Sequence, residues 1–306
     1  MPSVTFWSKE RSLKWLYPLY QCVANIFAVS QSKLQMKRFG VYLYGLATIA
    51  GGILDLVWGD FDPSHQPIQA FGDHIPGRTM FAYITAFWMI AGGVTILWHR
   101  SARAGAAALA AIYFIFAVFW LPRFYTAPLV LGFRISVLIG VLGGFGTQLI
   151  VSAAGALVCA SLATRDSTWS RTALIARWIF GLCSVDFGLA HLTDIKDNLV
   201  YVPMWMPLGR EFWVIATGIC FVLAGLAILS GILDVLAPRL LALMLLVFSA
   251  VTLVPAIFAY PHSHDVWGGN AYQLAAVAAA WIFADSNAKR AANREHDREA
   301  LLAEVS

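Results

Sequence analysis

Residues 78–98, RTMFAYITAFWMIAGGVTILW, decide the fold once they are set beside residues 210–230, REFWVIATGICFVLAGLAILS. Each stretch is long and apolar enough to cross a bilayer, since about 20 helical residues span roughly 30 Å of hydrocarbon. The two also agree position by position. Arg78 and Arg210 each follow a Pro and a Gly, Thr85 and Gly93 answer Thr217 and Gly225, and Ile96-Leu97 answers Ile228-Leu229. Further along, Pro122 is matched by Pro255, and Gly143, Gly144, Gln148 and Leu149 return as Gly268, Gly269, Gln273 and Leu274. A period of about 130 residues is that of a whole duplicated helical unit.

Composition agrees with this reading. The chain is 59% hydrophobic and 12% charged with a mean hydropathy of +0.70, which excludes an ordinary water-soluble globule. Eight membrane-length stretches are expected at 39–58, 79–98, 104–121, 143–162, 173–192, 212–229, 240–258 and 268–284. Their apolar residues fall on all sides, which favours helices over the alternating pattern of a membrane barrel. The expected fold is therefore all-α: a polytopic membrane protein of eight transmembrane helices, arranged as two tandem four-helix repeats. Each repeat has an even number of spans, so a pseudo-twofold along the membrane normal should relate them.

The domain reading is a cytoplasmic tail at 1–37, a first membrane unit at 38–164, a second at 165–285, and a charged cytoplasmic tail at 286–306. Residues 13–30 are apolar but contain Lys14, Pro18, Gln21 and Asn25; an interfacial helix suits them better than a ninth span or a signal peptide. With eight spans, 16 of the 21 Lys and Arg residues fall on one side, which places both termini in the cytoplasm. Lipid is the obvious partner, and nucleic acid is not expected.

Charge within a span is costly, so each instance invites a reason. Asp55 and His191 occupy equivalent places in the first and fifth stretches, Asp186 lies deeper in the fifth, and Gln148 and Gln273 lie near the starts of the fourth and eighth. Symmetry would bring them to one outward-facing polar site between the halves, where Asp186 or Asp55 handles a proton or cation and the glutamines orient a ligand. Ordinary interhelical hydrogen bonding is the competing account. Arg78 and Arg210 head helices whose N-termini would favour an anion, unless they anchor in lipid phosphate or pair with loop carboxylates. The outer loops collect Asp60, Asp62, Asp73, Asp194, Asp197, Glu211 and Asp265 with His65, His74, His262 and His264.

Other chemistries find less support. His262, His264 and Asp265 form only a fragment of a metal site. Cys22, Cys159, Cys183 and Cys220 are scattered without a CxxC pair. Trp58, Trp88, Trp98, Trp120, Trp205 and Trp213 mostly fall near span ends, as an interfacial belt predicts, although a flat quinone could stack among Trp120, Trp205 and Trp213.

From Arg177 through His191, Val202-Pro203, Met206-Pro207, Gly209, Phe212-Trp213, Thr217-Gly218, Ala224-Gly225 and Ile228-Leu229, the second unit resembles the DoxX family of small four-helix bacterial membrane proteins. That family is related to the DoxD subunit of thiosulfate:quinone oxidoreductase. Leu121-Pro122-Arg123 resembles the family's Pro-Arg after the third helix, whereas the second unit departs from it with Pro255-Ala256. The resemblance covers residues 38–285 and implies an inner-membrane subunit or scaffold of a redox-linked complex, handling sulfur or communicating with quinone. A small-solute or ion transporter and a quinone-linked oxidoreductase subunit are the alternatives.

Overall fold

Glycine and small residues set how closely these helices approach. The first, α1 (Phe39–Trp58), buries Tyr44, Ala47, Thr48, Gly51, Gly52 and Asp55, whose i, i+3 and i, i+4 spacings place them on one stripe. The opposing helix, α2 (Arg78–Leu97), buries Ala82, Thr85, Ala86, Met89, Gly92, Gly93 and Ile96 in the same rhythm. A Cβ on Gly93 would lie 2.8 Å from the Gly45 carbonyl, and one on Gly52 would lie 2.7 Å from the Ala86 carbonyl. Only glycine permits the two backbones to meet this closely.

The structure is a computed structural model and describes residues 39–63, 65, 76–163 and 166–305. The segment 13–30, Cys22, Asp73, His74 and Arg165 lie outside the described residues. After α2 come α3 (Ala102–Trp120), a short α4 (Arg123–Leu131), α5 (Ile135–Ser161) and α6 (Asp166–Thr193). A further short helix, α7 (Ile195–Asn198), and a 3-10 turn at Leu199–Tyr201 lead to α8 (Arg210–Ser230). The next span is α9 (Leu236–Phe248), a π-helical turn at Ser249–Leu253 and α10 (Val254–Ala259), and the described chain ends in α11 (His264–Val305).

Among the described residues, seven helical stretches are long and apolar enough to cross a membrane: α1, α2, α3, α5, α6 from Thr168, α8, and the run Leu236–Ala259. The chain is thus a multi-pass membrane protein. The eighth expected span, 268–284, lies within α11, which is not among the seven. Its residues Ala275, Val277, Ala278, Ala279, Ala280, Phe283 and Ala284 are buried almost completely. A helix enclosed by protein, here in contact with α5 and α9, has less need of the bulky side chains that give lipid-facing helices their hydropathy.

Helix α6 begins at Asp166, ahead of the expected 173, and three further features depart from the sequence reading. Helix α5 starts at Ile135, not Gly143, so its glycines lie within the helix and Gln148 lies about 20 Å from its start at 1.5 Å per residue. Residues 123–131, expected as loop, form α4, which exposes Tyr125, Leu129, Val130 and Leu131 while burying Ala127. The seventh span contains the π turn just before Pro255, a residue that cannot donate a backbone hydrogen bond. Side chains from α11 serve this distorted span: Asn270 Nδ2 donates to the Leu253 carbonyl at 3.0 Å and Gln273 Nε2 to the Leu245 carbonyl at 3.4 Å.

Helices α6 and α8 cross as α1 and α2 do. A Cβ on Gly225 would lie 2.7 Å from the Gly181 carbonyl, and one on Gly188 would lie 2.6 Å from the Gly218 carbonyl. From the first half of α6, Arg177 Nη2 donates to Asp234 Oδ2 at 3.0 Å, and the Asp234 backbone carbonyl accepts from Asn287 Nδ2 at 2.7 Å. Arg177 and Asp234 are 21% and 20% exposed, so screening weakens the pair but does not abolish it. Arg177→Ala should lower unfolding stability by about 1–2 kcal/mol, measured by denaturant titration in detergent; an unchanged midpoint would show that Asp234 is held by Asn287 alone.

Candidate functional site

The buried stripe of α1 does not end in an apolar residue. It ends in Asp55, whose side chain is 0% exposed. The chain then turns at Gly59, where φ is +66°, a conformation open to glycine and strained for most other residues. Beyond the turn it folds back over the carboxylate. Asp62 N–H donates to Asp55 Oδ1 at 2.9 Å, and His65 N–H closes a turn onto the Asp62 carbonyl at 2.8 Å. Arg78, at the head of α2, clamps the start of this loop through Asp60, with Nε to Oδ1 at 2.6 Å and Nη2 to Oδ2 at 2.9 Å. Such a bidentate pair fixes orientation as well as distance.

Two imidazoles face Asp55. His65 Nδ1 lies 3.8 Å from Oδ2, and His264 Nε2, from the first residue of α11, lies 3.3 Å from Oδ1. The first separation is too long for a direct hydrogen bond, and the second lies at the long end of the hydrogen-bond range. His65 is 3% exposed and is packed into an aromatic cage. It stacks on Phe116 at 4.4 Å and meets the edges of Tyr113 and Tyr272 at 5.7 and 5.5 Å. His264 is 13% exposed and lies flat on Trp58 at 4.9 Å, which makes it the outermost of the three. Gly268 is required one turn on, because a Cβ there would collide with the Asp62 carboxylate.

Among the described residues, Asp55 Oδ2 and both ring nitrogens of His65 are buried without a hydrogen-bond partner, and His264 Nε2 has the 3.3 Å approach to Asp55 Oδ1. Unsatisfied groups of this kind are individually costly in an interior. Here they are gathered around one carboxylate, so a proton or a polar ligand group entering the cluster would satisfy several of them together. One carboxylate, two imidazoles and adjacent tyrosines can accept, hold and pass protons.

The remaining expected site residues have other surroundings. Asp186 is 6% exposed on α6; its Oδ2 would meet a Cβ on Gly143 at 3.3 Å and has no hydrogen-bond partner among the described residues. His191 donates through Nδ1 to the Phe187 carbonyl at 2.8 Å and packs near Phe221 and Phe248. Gln148 is fully buried within α5. Gln273 serves the α9 backbone, as above. Arg210 donates to the Leu199 carbonyl at 3.3 Å, while Arg78 is engaged by Asp60. The metal fragment His262, His264 and Asp265 does not assemble: among the described residues no group of three or more His, Cys, Asp or Glu residues is placed to hold a metal ion, and His264 turns to Asp55 and Trp58.

Sequence reasoning placed Asp55 among the candidates and noted Asp62 and His65 only as outer-loop residues. Tyr113 and Tyr272 were missed. The usable signal was local: Asp55, Gly59, Asp62 and His65 within eleven residues describe a helix end, a turn and a return. Compared with known families, curated proteins and solved structures, the chain matches none.

Proposed function

We propose that the chain is an eight-helix DoxX-like subunit of a quinone-linked redox complex in a bacterial inner membrane. In this reading it is built of two four-helix units, has both termini in the cytoplasm, and uses Asp55, His65 and His264 at its outer face. The observation that carries the proposal is the buried carboxylate set between two imidazoles and walled by aromatic rings. A quinol headgroup is flat and carries two hydroxyls, so Trp58 and His264 offer a stacking edge while the imidazoles and Asp55 accept hydrogen bonds. Oxidation of a quinol to a quinone releases two protons and two electrons. The protons would pass to the Asp55 cluster and the electrons to a redox-active partner protein. The paired glycine crossings of α1 on α2 and of α6 on α8 support the two-unit reading, as does the burial of α11 beside α5 and α9.

Binding of decylubiquinol to the purified chain tests this. Asp55→Asn and His264→Gln should each weaken it by about tenfold or more, the equivalent of one lost charge-assisted contact. Gly269→Ala, at a position where a Cβ meets nothing within 4 Å, should leave it unchanged. Absence of binding in the wild-type chain, or undiminished binding by both site variants, would refute the quinol site. Transport is the second reading, favoured by the buried and unsatisfied Asp186 Oδ2. It requires solute flux in proteoliposomes that Asp186→Asn abolishes.

A further inference from the structure

A second polar site, which shares no residue with the Asp55 cluster, lies between the first and second halves of the chain. A cavity of about 400 Å³ opens between α4, the start of α5 and the segment after α6, a size suited to a small ligand or headgroup. Arg123 and Arg134 line it from the first half, and Asp194 and Asp197 line it from the second.

Its floor is built to carry charge. Arg123 is only 1% exposed, and its guanidinium lies 3.7 Å from the centre of the Trp120 ring, a cation–π stack that fixes its plane. Gly144 lies against the Trp120 ring, because a Cβ there would run into the indole. Burial draws the Arg123 guanidinium down to about 10, which still leaves it cationic at neutral pH. Arg134 is exposed at the rim, where Nη2 donates to the Leu131 carbonyl at 3.3 Å. Among the described residues, neither Arg134 nor the carboxylates of Asp194 and Asp197 has an ion-pair partner within 4.0 Å. Two arginines and two carboxylates thus line one open space from opposite halves of the chain.

We infer that this cavity binds a zwitterionic phosphate–ammonium group, of the kind carried by an ethanolamine phospholipid or by free phosphoethanolamine. Arg123 and Arg134 hold the phosphate, for which a guanidinium fork is suited. Asp194 and Asp197 accept hydrogen bonds from the primary ammonium. A choline headgroup has no N–H to donate, and a glycerol headgroup has no cation to offer the carboxylates. Apolar residues beside the opening, Leu129, Val130, Leu131, Phe133 and Ile135, are 51–83% exposed and could receive acyl chains. The second half has no equivalent: Ala256 stands where the first half has Arg123, and Gly269, the counterpart of Gly144, supports nothing within 4 Å. The site therefore belongs to the asymmetry between the units and does not rest on the quinol reading.

The full chain in nanodiscs of equal ethanolamine, choline and glycerol phospholipids should retain the ethanolamine lipid about tenfold over the other two after transfer to detergent. Arg134→Gln and Asp197→Asn, both at exposed positions, should each reduce that preference to about twofold or less. Arg123→Gln should do the same, provided circular dichroism and gel filtration show it folded; if it is not, the two rim variants decide. Calorimetry with free phosphoethanolamine on the delipidated chain separates the sources: binding there supports a soluble zwitterion as ligand, and its absence beside lipid retention supports the membrane lipid. Equal retention of all three lipids without phosphoethanolamine binding would overturn the inference. So would a preference for the glycerol lipid, or an ethanolamine preference that survives both rim variants.

Discussion

Gly105→Val should leave almost no correctly folded protein in detergent, whereas Gly269→Ala should raise the unfolding midpoint. Gly105 lies in the first turn of α3, and a Cβ there would run into the Ile96 backbone nitrogen, with the Gly92 carbonyl at 2.8 Å. Those obstacles are main-chain atoms of α2 and cannot rotate away. The helices would have to separate, and the buried contacts of Ile96, Leu109 and Ile112 would be lost with them. Overpacking typically costs about 1–3 kcal/mol and more where the backbone is involved, so loss of the monodisperse peak in gel filtration is the expected reading. At Gly269 the added methyl meets nothing within 4 Å. Alanine there should contribute about 0.5–1 kcal/mol by restricting the unfolded chain and favouring the helix. Similar behaviour of the two variants would mean that the glycines are not what sets the helix separation.

The helical membrane fold was legible in the sequence because hydropathy and spacing report directly on burial. The range 39–58 coincides with α1, and the ends of α2, α3 and α8 lie near their expected places, as does the C-terminal end of α6. Failures occurred where a local rule competes with context. Glycines at 140–146 look like a helix start, yet within α5 they permit close approach of Asp186, Trp120 and Cys183 to the backbone. Arg123 and Pro128 look like loop residues, yet α4 forms around them. The candidate site was legible only in part. Asp55 was recognisable as a charge in a span, but nothing in linear order joins it to His264, 209 residues further along. The loop partners that the fold-back at Gly59 brings to Asp55, and the Leu245 carbonyl that engages Gln273, follow from turns and helix distortions that linear order does not display.

The cost of the Asp55 cluster makes a second strong prediction. A buried polar group left without its partner costs about 1–3 kcal/mol, whereas replacing a whole buried polar cluster by apolar residues of similar size is often neutral or stabilising. Asp55→Ala should therefore be strongly destabilising, since it leaves the ring nitrogens of His65 and His264 facing an empty space and removes the acceptor that holds the Asp62 N–H. The triple variant Asp55→Leu, His65→Phe, His264→Leu should recover most of that loss. The phenyl ring that replaces the His65 imidazole would continue the stack on Phe116, between the edges of Tyr113 and Tyr272, and the leucine side chain in place of the Asp55 carboxylate would extend the apolar stripe of α1. Thermal unfolding in one detergent would rank the three proteins. If the cluster exists for chemistry, the triple variant should be as stable as the wild type or more so, yet bind no quinol, because stability and ligand binding draw on different properties of the same side chains. If the triple variant is instead as unstable as Asp55→Ala, the imidazoles and carboxylate are structural, holding the 59–65 fold-back against α11, and the proton-exchanging role assigned to them fails.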